Sequence, residues 1–289
     1  MAGTHKPVQI NATLEHLAIV PEGIYLDATA GLGGHTAGIA RKLESGFVIA
    51  NDADAESLEL ARKNTLEWAE RIRFHQGRFS QLDQALKTFG VEKVNGLVAD
   101  LGVSRYQLTD GERGFSLQAD GPLDMRINRT EGQTAADLVN YNAEKALADL
   151  IYLKGEERRA RRIARAIVRA RPIRGTLHLA RVVEQAVPRT GKLHPATLTF
   201  MALRIAVNQE TEELTALLEL APTLVAPGGR IVIITFMSLE DRQVKQGFQR
   251  LAREGRAQIL TKHVVKPTDE EVLENPASRS SKLRSLMIL

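Results

Sequence analysis

Short apolar runs and amphipathic stretches alternate through the first hundred residues. Residues 23–29 (GIYLDAT), 47–51 (FVIAN), 72–75 (IRFH) and 94–100 (VNGLVAD) are short and bounded by turn residues, which predicts four buried strands. Between them, residues 36–43 and 55–70 place apolar side chains at helical spacing. Strands and helices in alternation predict a parallel sheet covered by helices on both faces. The alternation stops near residue 105. From there to about residue 142 the chain is rich in Gly, Asp and Arg without a period, and helical spacing returns at 143–153, 156–171 and 176–186. One long helix is predicted from 195 to about 224, and a Pro227-Gly228-Gly229 turn leads into a strand at 230–236 (RIVIITF). Residues 257–265 and 282–289 complete the predicted strands. The simplest architecture is an α/β fold whose single open sheet draws on both ends of the chain, residues 1–106 and 207–289. A helical insertion of residues 107–206, a common domain size, lies between them.

The first strand runs through Asp27 into Gly31, Gly33 and Gly34 before a predicted helix. Glycines at such a turn let backbone amides approach a ligand closely. The spacing is not G-x-G-x-x-G, since Thr36 stands three residues after Gly33, nor the phosphate-cradling G-x-x-x-x-G-K-[ST], so neither a dinucleotide site nor an NTPase is favoured. Asp52, twenty-one residues after Gly31 at the end of the next strand, is placed to accept hydrogen bonds from both hydroxyls of a ribose. Turn and acid together read as an adenosine site without a pyrophosphate grip, the pattern of S-adenosylmethionine binding. A plain βα turn with Asp52 or Asp54 capping the next helix uses the same residues differently. Phe79, just past the third strand, is placed either to stack on an adenine or to fill the core. Asp100 ends the fourth strand, where reacting atoms meet in open α/β sheets, unless it merely caps a turn.

Composition removes several chemistries. The 289 residues include no cysteine, which excludes disulfide scaffolds, thiolate metal sites and cysteine nucleophiles. The seven histidines are scattered, so no metal site is expected. Residues 1–11 hold no apolar run of the signal-peptide kind, and no 18-residue apolar stretch occurs, so a cytoplasmic protein without a membrane span is expected. The net charge of +4 conceals a concentration: residues 154–181 hold ten basic residues against Glu156 and Glu157, leaving the rest of the chain net negative. An arginine-rich segment of this kind suits a polyanion such as nucleic acid, although a solvated helix face has the same composition. At about 100° per residue, Arg158, Arg162, Arg165 and Arg169 share one stripe, with Ala160, Ile163, Ala164 and Ile167 opposite.

Nine blocks spread in order over the chain carry a resemblance: HKPV from His5, DATAGLGGHT from Asp27, DLGVS from Asp100, RGFS from Arg113, DGPLDMR from Asp120, HPAT from His194, ALRIAVN from Ala202, SLEDR from Ser238 and NPASRS from Asn275. They resemble the small-subunit ribosomal RNA methyltransferase H family, also called MraW. The resemblance implies a Rossmann-like methyltransferase sheet whose inserted domain recognises substrate. Its implied activity is S-adenosylmethionine-dependent methylation of the N4 amine of a cytidine in the decoding region of 16S rRNA, with the small ribosomal subunit or its precursor as partner. Cofactor contacts are implied at Gly33, Gly34, His35, Asp52, Phe79, Asp100 and Gln107. The chain departs from the family pattern at Met237, where a histidine is usual, at Leu198, where an arginine is usual, and at Arg105-Tyr106 in place of Ser-Pro.

The residues read by themselves agree with amine methylation. An exocyclic cytosine amine is a weak nucleophile, and a carboxylate at Asp100 that accepts its N–H hydrogens would align its lone pair for in-line attack, making Asp100 the catalytic candidate. The absence of cysteine argues against cytosine C5 methylation, which needs a covalent thiolate. Leu101-Gly102-Val103 follows the acid where many amino-methyltransferases have Pro-Pro-aromatic, so the base would stack elsewhere, on Tyr106 or Phe236. His194, before a proline at a helix start, reads as a base or as a capping group. A DNA or small-molecule amino-methyltransferase and a non-catalytic ribosome assembly factor are the alternatives.

Overall fold

Each of the four early runs forms a strand, while the helix read at 36–43 spans Gly34–Ala40 and the one read at 55–70 ends early. The computed structural model describes residues 6–189, 191 and 193–289. His5, the first residue of the HKPV block, lies outside the described residues. In chain order come α1 (Ile10–Leu17), β1 (Ile24–Asp27), α2 (Gly34–Ala40), β2 (Phe47–Asp52), α3 (Ala55–Asn64), β3 (Ile72–Gln76), α4 (Leu82–Thr88) and β4 (Val94–Asp100). The helix expected over 55–70 ends at Asn64, where the Thr65 hydroxyl bonds back to the Ala61 carbonyl, and a 3-10 segment, Leu66–Arg71, follows.

The chain divides into two compact units, one of Met1–Gly102 with Thr211–Leu289 and the other of Val103–Glu210. The second unit holds α5 (Arg105–Thr109), α6 (Ala135–Tyr141), α7 (Glu144–Gly155), α8 (Ala160–Arg169), α9 (Thr176–Ala186) and α10 (Thr197–Val207) around a core of its own that includes Met125, Leu147, Ile151, Ile163, Ile167 and Val183. The segment read as one helix over 156–171 is shorter. Glu156 is left-handed (φ 53°) and ends α7, and the Glu157 carboxylate accepts from the Arg159 backbone N–H, so α8 begins only at Ala160. Arg158 therefore precedes the helix and leaves the predicted stripe. Ala160, Ile163, Ala164 and Ile167 are buried as the spacing requires, while Arg161, Arg162, Arg165 and Arg169 are exposed.

The long helix expected over 195–224 is two helices, α10 and α11 (Glu210–Leu224). Gln209 adopts φ 54°, and the side chain of Asn208 is committed to the Met125 carbonyl and the Ile127 N–H, a tertiary demand invisible to periodicity. Then follow β5 (Val225–Thr235), α12 (Ser238–Arg253), β6 (Ala257–Ile259), α13 (Asp269–Glu274) and β7 (Lys282–Ile288). The expected turn at 227–229 lies inside β5, opposite a register irregularity in β4 between Val94 and Gly96. Of the strand read at 257–265, only β6 and a single bridge from Val265 to Leu283 form.

The seven strands pair in the order β3-β2-β1-β4-β5-β7-β6, parallel throughout except β7, which runs antiparallel to β5 and β6. Period-two alternation sends Leu26, Ile49, Leu97 and Ile231 to the face covered by α4, α11 and α12. Tyr25, Val48, Val98 and Val232 face α1, α2 and α3. Each buried aliphatic side chain contributes about 1.5–3 kcal/mol. The strand order reverses between β1 and β4, and in open α/β sheets ligands bind in the crevice beyond the strand ends at such a point. This is the Rossmann-like arrangement with a helical insertion.

Candidate functional site

Asp27, Asp52 and Asp100 close three adjacent parallel strands, β1, β2 and β4. Because Asp27 pairs with Ala50 and with Val98, the register carries Asp52 and Asp100 two residues further out on either side of it. Asp27 is fully buried, accepts from the Thr36 hydroxyl at 2.7 Å and from the Thr29 N–H at 3.1 Å, and ties the strand to α2. Burial raises its pKa, with His35 and these donors pulling the other way.

The glycine turn is shaped by packing as well as by any ligand. Gly31 and Gly33 have φ of 51° and 89°, and a Cβ on Gly33 would sit 2.7 Å from the Thr65 methyl. Gly34 leaves room for Pro7, whose ring atoms would lie 2.8 Å from a Cβ there. Gly33→Ala combines a left-handed backbone with this clash, and a loss of about 1–3 kcal/mol in folding stability is expected. A thermal melt unchanged from the parent would refute it.

Asp52 holds the turn directly. Its Oδ2 accepts from the Gly31 N–H at 2.8 Å and its Oδ1 from the Asp54 N–H at 2.9 Å. Capping of α3 falls to Asp54, which accepts from the Glu56 N–H and the Ser57 hydroxyl. Each Asp52 oxygen keeps a second lone pair, so two hydroxyl donors still find acceptors there. Burial pushes the Asp52 carboxyl up to about 6, against the pull of those two N–H groups.

Asp100 is less satisfied. Its backbone N–H donates to the Thr29 hydroxyl, but its Oδ1 is buried without a hydrogen-bond partner among the described residues. Its Oδ2 lies 3.9 Å from Nδ1 of His35. Nε2 of His35 lies 3.0 Å from the Val8 carbonyl oxygen. A carbonyl only accepts, so Nε2 carries a hydrogen. Burial pushes the Asp100 carboxyl up to about 6, against the pull of His35 and reinforced by the charges of Asp27 and Glu240. An acceptor oxygen left bare in a protein interior costs about 1–3 kcal/mol, a cost that a ligand bearing N–H groups or positive charge removes. S-adenosylmethionine, with an ammonium and a sulfonium beside a ribose, suits this edge.

The remaining sequence candidates fall as follows. Gly33, Gly34, His35, Asp52 and Asp100 gather at one edge of the sheet. Phe79 opens a 3-10 segment after β3 and is partly buried against the core, so it serves packing whatever else it touches. Phe236 follows β5, and its ring lies 4.0 Å from where a Cβ on Gly102 would stand. Gln107 and Tyr106 belong to the second unit, on α5, where the Gln107 amide oxygen accepts from the Ser104 N–H in a capping box. His194 bonds locally ahead of α10, its Nδ1 accepting from the Ala196 N–H at 3.1 Å. Among the described residues no cluster of metal-ligating side chains occurs, and no helix is long and apolar enough to cross a membrane.

Periodicity gave no sign that the blocks at the two ends of the chain meet. Asn275 donates to the Lys6 carbonyl at 3.0 Å, Lys6 pairs with Glu274 at 2.7 Å, the Gln9 N–H donates to Glu271 at 2.5 Å, and the Gln9 amide donates to the Ser281 hydroxyl at 2.7 Å. This strap holds Val8, and Val8 holds His35.

Known proteins match the chain along almost its whole length. The MraW methylase family matches residues 2–288. A ribosomal RNA small subunit methyltransferase H of Solibacter usitatus is 64% identical over 282 residues, covering 98% of this chain and 99% of its own. Proteins of the same name from Koribacter versatilis and Acidobacterium capsulatum are 46% and 47% identical, over 98% and 97% of this chain and 93% and 97% of theirs. Among solved structures, an rRNA methylase from Streptococcus thermophilus covers 100% of this chain and 99% of its own at 12% identity and a TM-score of 0.48, too low to add to the family match. The chain belongs to the MraW methylase family, and its methyl donor is S-adenosylmethionine.

Proposed function

We propose that this protein methylates the N4 amine of a cytidine in the decoding region of 16S rRNA, acting on the small ribosomal subunit or its precursor. Asp100 is the catalytic residue in this reading, and Gly33, Gly34, His35, Asp52, Phe79, Asp100 and Gln107 contact the cofactor. The observation that carries the reading is the bare, buried Oδ1 of Asp100 at the end of β4. S-adenosylmethionine supplies an electrophilic methyl group on a sulfonium. Asp100 accepts an N–H hydrogen of the amine and so turns the nitrogen lone pair toward that methyl group. Asp52 accepts from the ribose hydroxyls while keeping the glycine turn closed, and Nδ1 of His35 stands 3.9 Å from the other oxygen of Asp100. The names of the close relatives support ribosomal RNA as the substrate class.

The test is the nucleoside composition of 16S rRNA from cells with and without the gene. Loss of N4-methylcytidine on deletion, restored by the parent chain, is expected; an unchanged nucleoside profile overturns the reading. The exposed arginines of α8 are the electrostatic counterpart. Arg162→Glu with Arg169→Glu is expected to weaken RNA binding across all sequences and to reduce the salt exponent by about 0.7 for each single-strand phosphate that the variant no longer neutralises. A lowered melting temperature with an unchanged salt exponent would instead assign these arginines to the fold.

A further inference from the structure

The second unit contains a cavity of about 520 Å³ that plays no part in the site above. Arg171, Arg174, His178 and Arg181 line it, with Asp120 as its one acidic member. Among the described residues none of the three guanidinium groups pairs with a carboxylate. Arg171 is held in place by backbone carbonyls, Nε to Val139 at 2.7 Å and Nη2 to Asn142 at 2.5 Å, which fix the group without neutralising it. Arg181 spends only Nε, on the Leu177 carbonyl at 3.2 Å. The Arg174 side chain has no partner among the described residues, but its backbone N–H donates to Nδ1 of His178 at 3.2 Å, which leaves the imidazole hydrogen on Nε2 as a donor. Asp120 is turned to local work, its Oδ1 accepting from the Gly121 N–H at 3.1 Å.

The cavity is thus walled mainly by donors and net positive charge, and its complement is an anion with several acceptor oxygens. Arginine forks match phosphate oxygens in pairs. A bare phosphate would leave most of 520 Å³ open, whereas a nucleotide belongs to the size class of such a cavity. We propose that this cavity seats the phosphate of one nucleotide of an RNA strand, a contact that rests on the reading of rRNA as substrate and positions the strand without reading its base.

The test uses the full chain. Imidazole signals are followed by nitrogen-15 NMR, with His178→Gln assigning the resonance. Inorganic phosphate is titrated in one arm and a short single-stranded oligoribonucleotide in the other. The His178 signal is expected to move in both, at a concentration at least tenfold lower for the oligoribonucleotide. Arg174→Glu with Arg181→Glu is expected to abolish the movement, weaken oligoribonucleotide binding about tenfold and lower the salt exponent by about 0.7, the value for one phosphate of a single strand. Affinity for S-adenosylmethionine is expected to stay unchanged. A His178 signal that moves in neither arm, or full RNA affinity in the double variant, overturns the proposal. So does an acidic peptide that moves the signal as strongly as the oligoribonucleotide. A silent titration in a chain that still methylates rRNA removes the cavity alone. Absence of N4-methylcytidine in cells removes the cytidine reading and leaves this titration to be judged by itself.

Discussion

Asp100→Ala is expected to lower turnover by about 10²–10⁴-fold while leaving RNA affinity nearly unchanged, the range and pattern of a group that acts on the reacting atoms. The carboxylate must be ionised to accept the amine hydrogens, and burial holds its pKa at about 6. Activity of the parent chain is therefore expected to rise with pH through about 6, and the variant to lose that limb. Asp100→Asn keeps one acceptor and is expected to fall between the two. Single-turnover methyl transfer measured from pH 5 to 8 checks all three, and near-parent transfer by the alanine variant would remove Asp100 from the chemistry. Stability should move the other way. A carboxyl whose pKa is raised on folding stabilises the fold fully only below its unfolded value, and that contribution is lost as pH rises through about 6. Asp100→Asn is accordingly expected to raise the melting temperature more at pH 7.5 than at pH 4.

Asp52→Ala is expected to weaken S-adenosylmethionine binding by about 1–3 kcal/mol, between fivefold and 150-fold. Two losses combine in it. The ribose loses its acceptor, and the Gly31 N–H, now bonded to Asp52 at 2.8 Å, loses the partner that closes the turn. Asp54→Ala is the control, since it removes the cap of α3 at about 0.5–2 kcal/mol of stability without touching the Gly31 bond. Calorimetry together with a melt separates the cases. Equal affinity loss in both variants would show that the ribose contact lies at Asp54 or that neither residue makes it.

The four early strands were legible in the sequence because each is a short apolar run between turn residues, and with them the three strand-end aspartates. Helix ends were less so. Gln209 interrupts helical spacing that reads as continuous over 195–224, and Glu156, read as a helix start, instead ends α7; both have left-handed backbones, and nothing in a hydrophobic pattern marks a polar residue for that conformation. Asp52 was visible as a strand-end acid, but its grip on Gly31 depends on how β2 lies beside β1. His35 sat in a recognisable block, yet its partner Val8 and the residues that hold Val8's neighbours lie at opposite ends of the chain, where local periodicity has no reach.

That strap fixes the order in which the molecule can be finished during synthesis. Gln9 leaves the ribosome 262 residues ahead of Glu271, a delay of roughly 10–50 s at ordinary elongation rates. Throughout that interval β1, β2 and β4 can already present their aspartates, while the carbonyl that orients His35 waits for its anchor. A nascent chain still lacking residues 271–289 therefore carries the three strand-end aspartates without the strap that holds Val8 against His35.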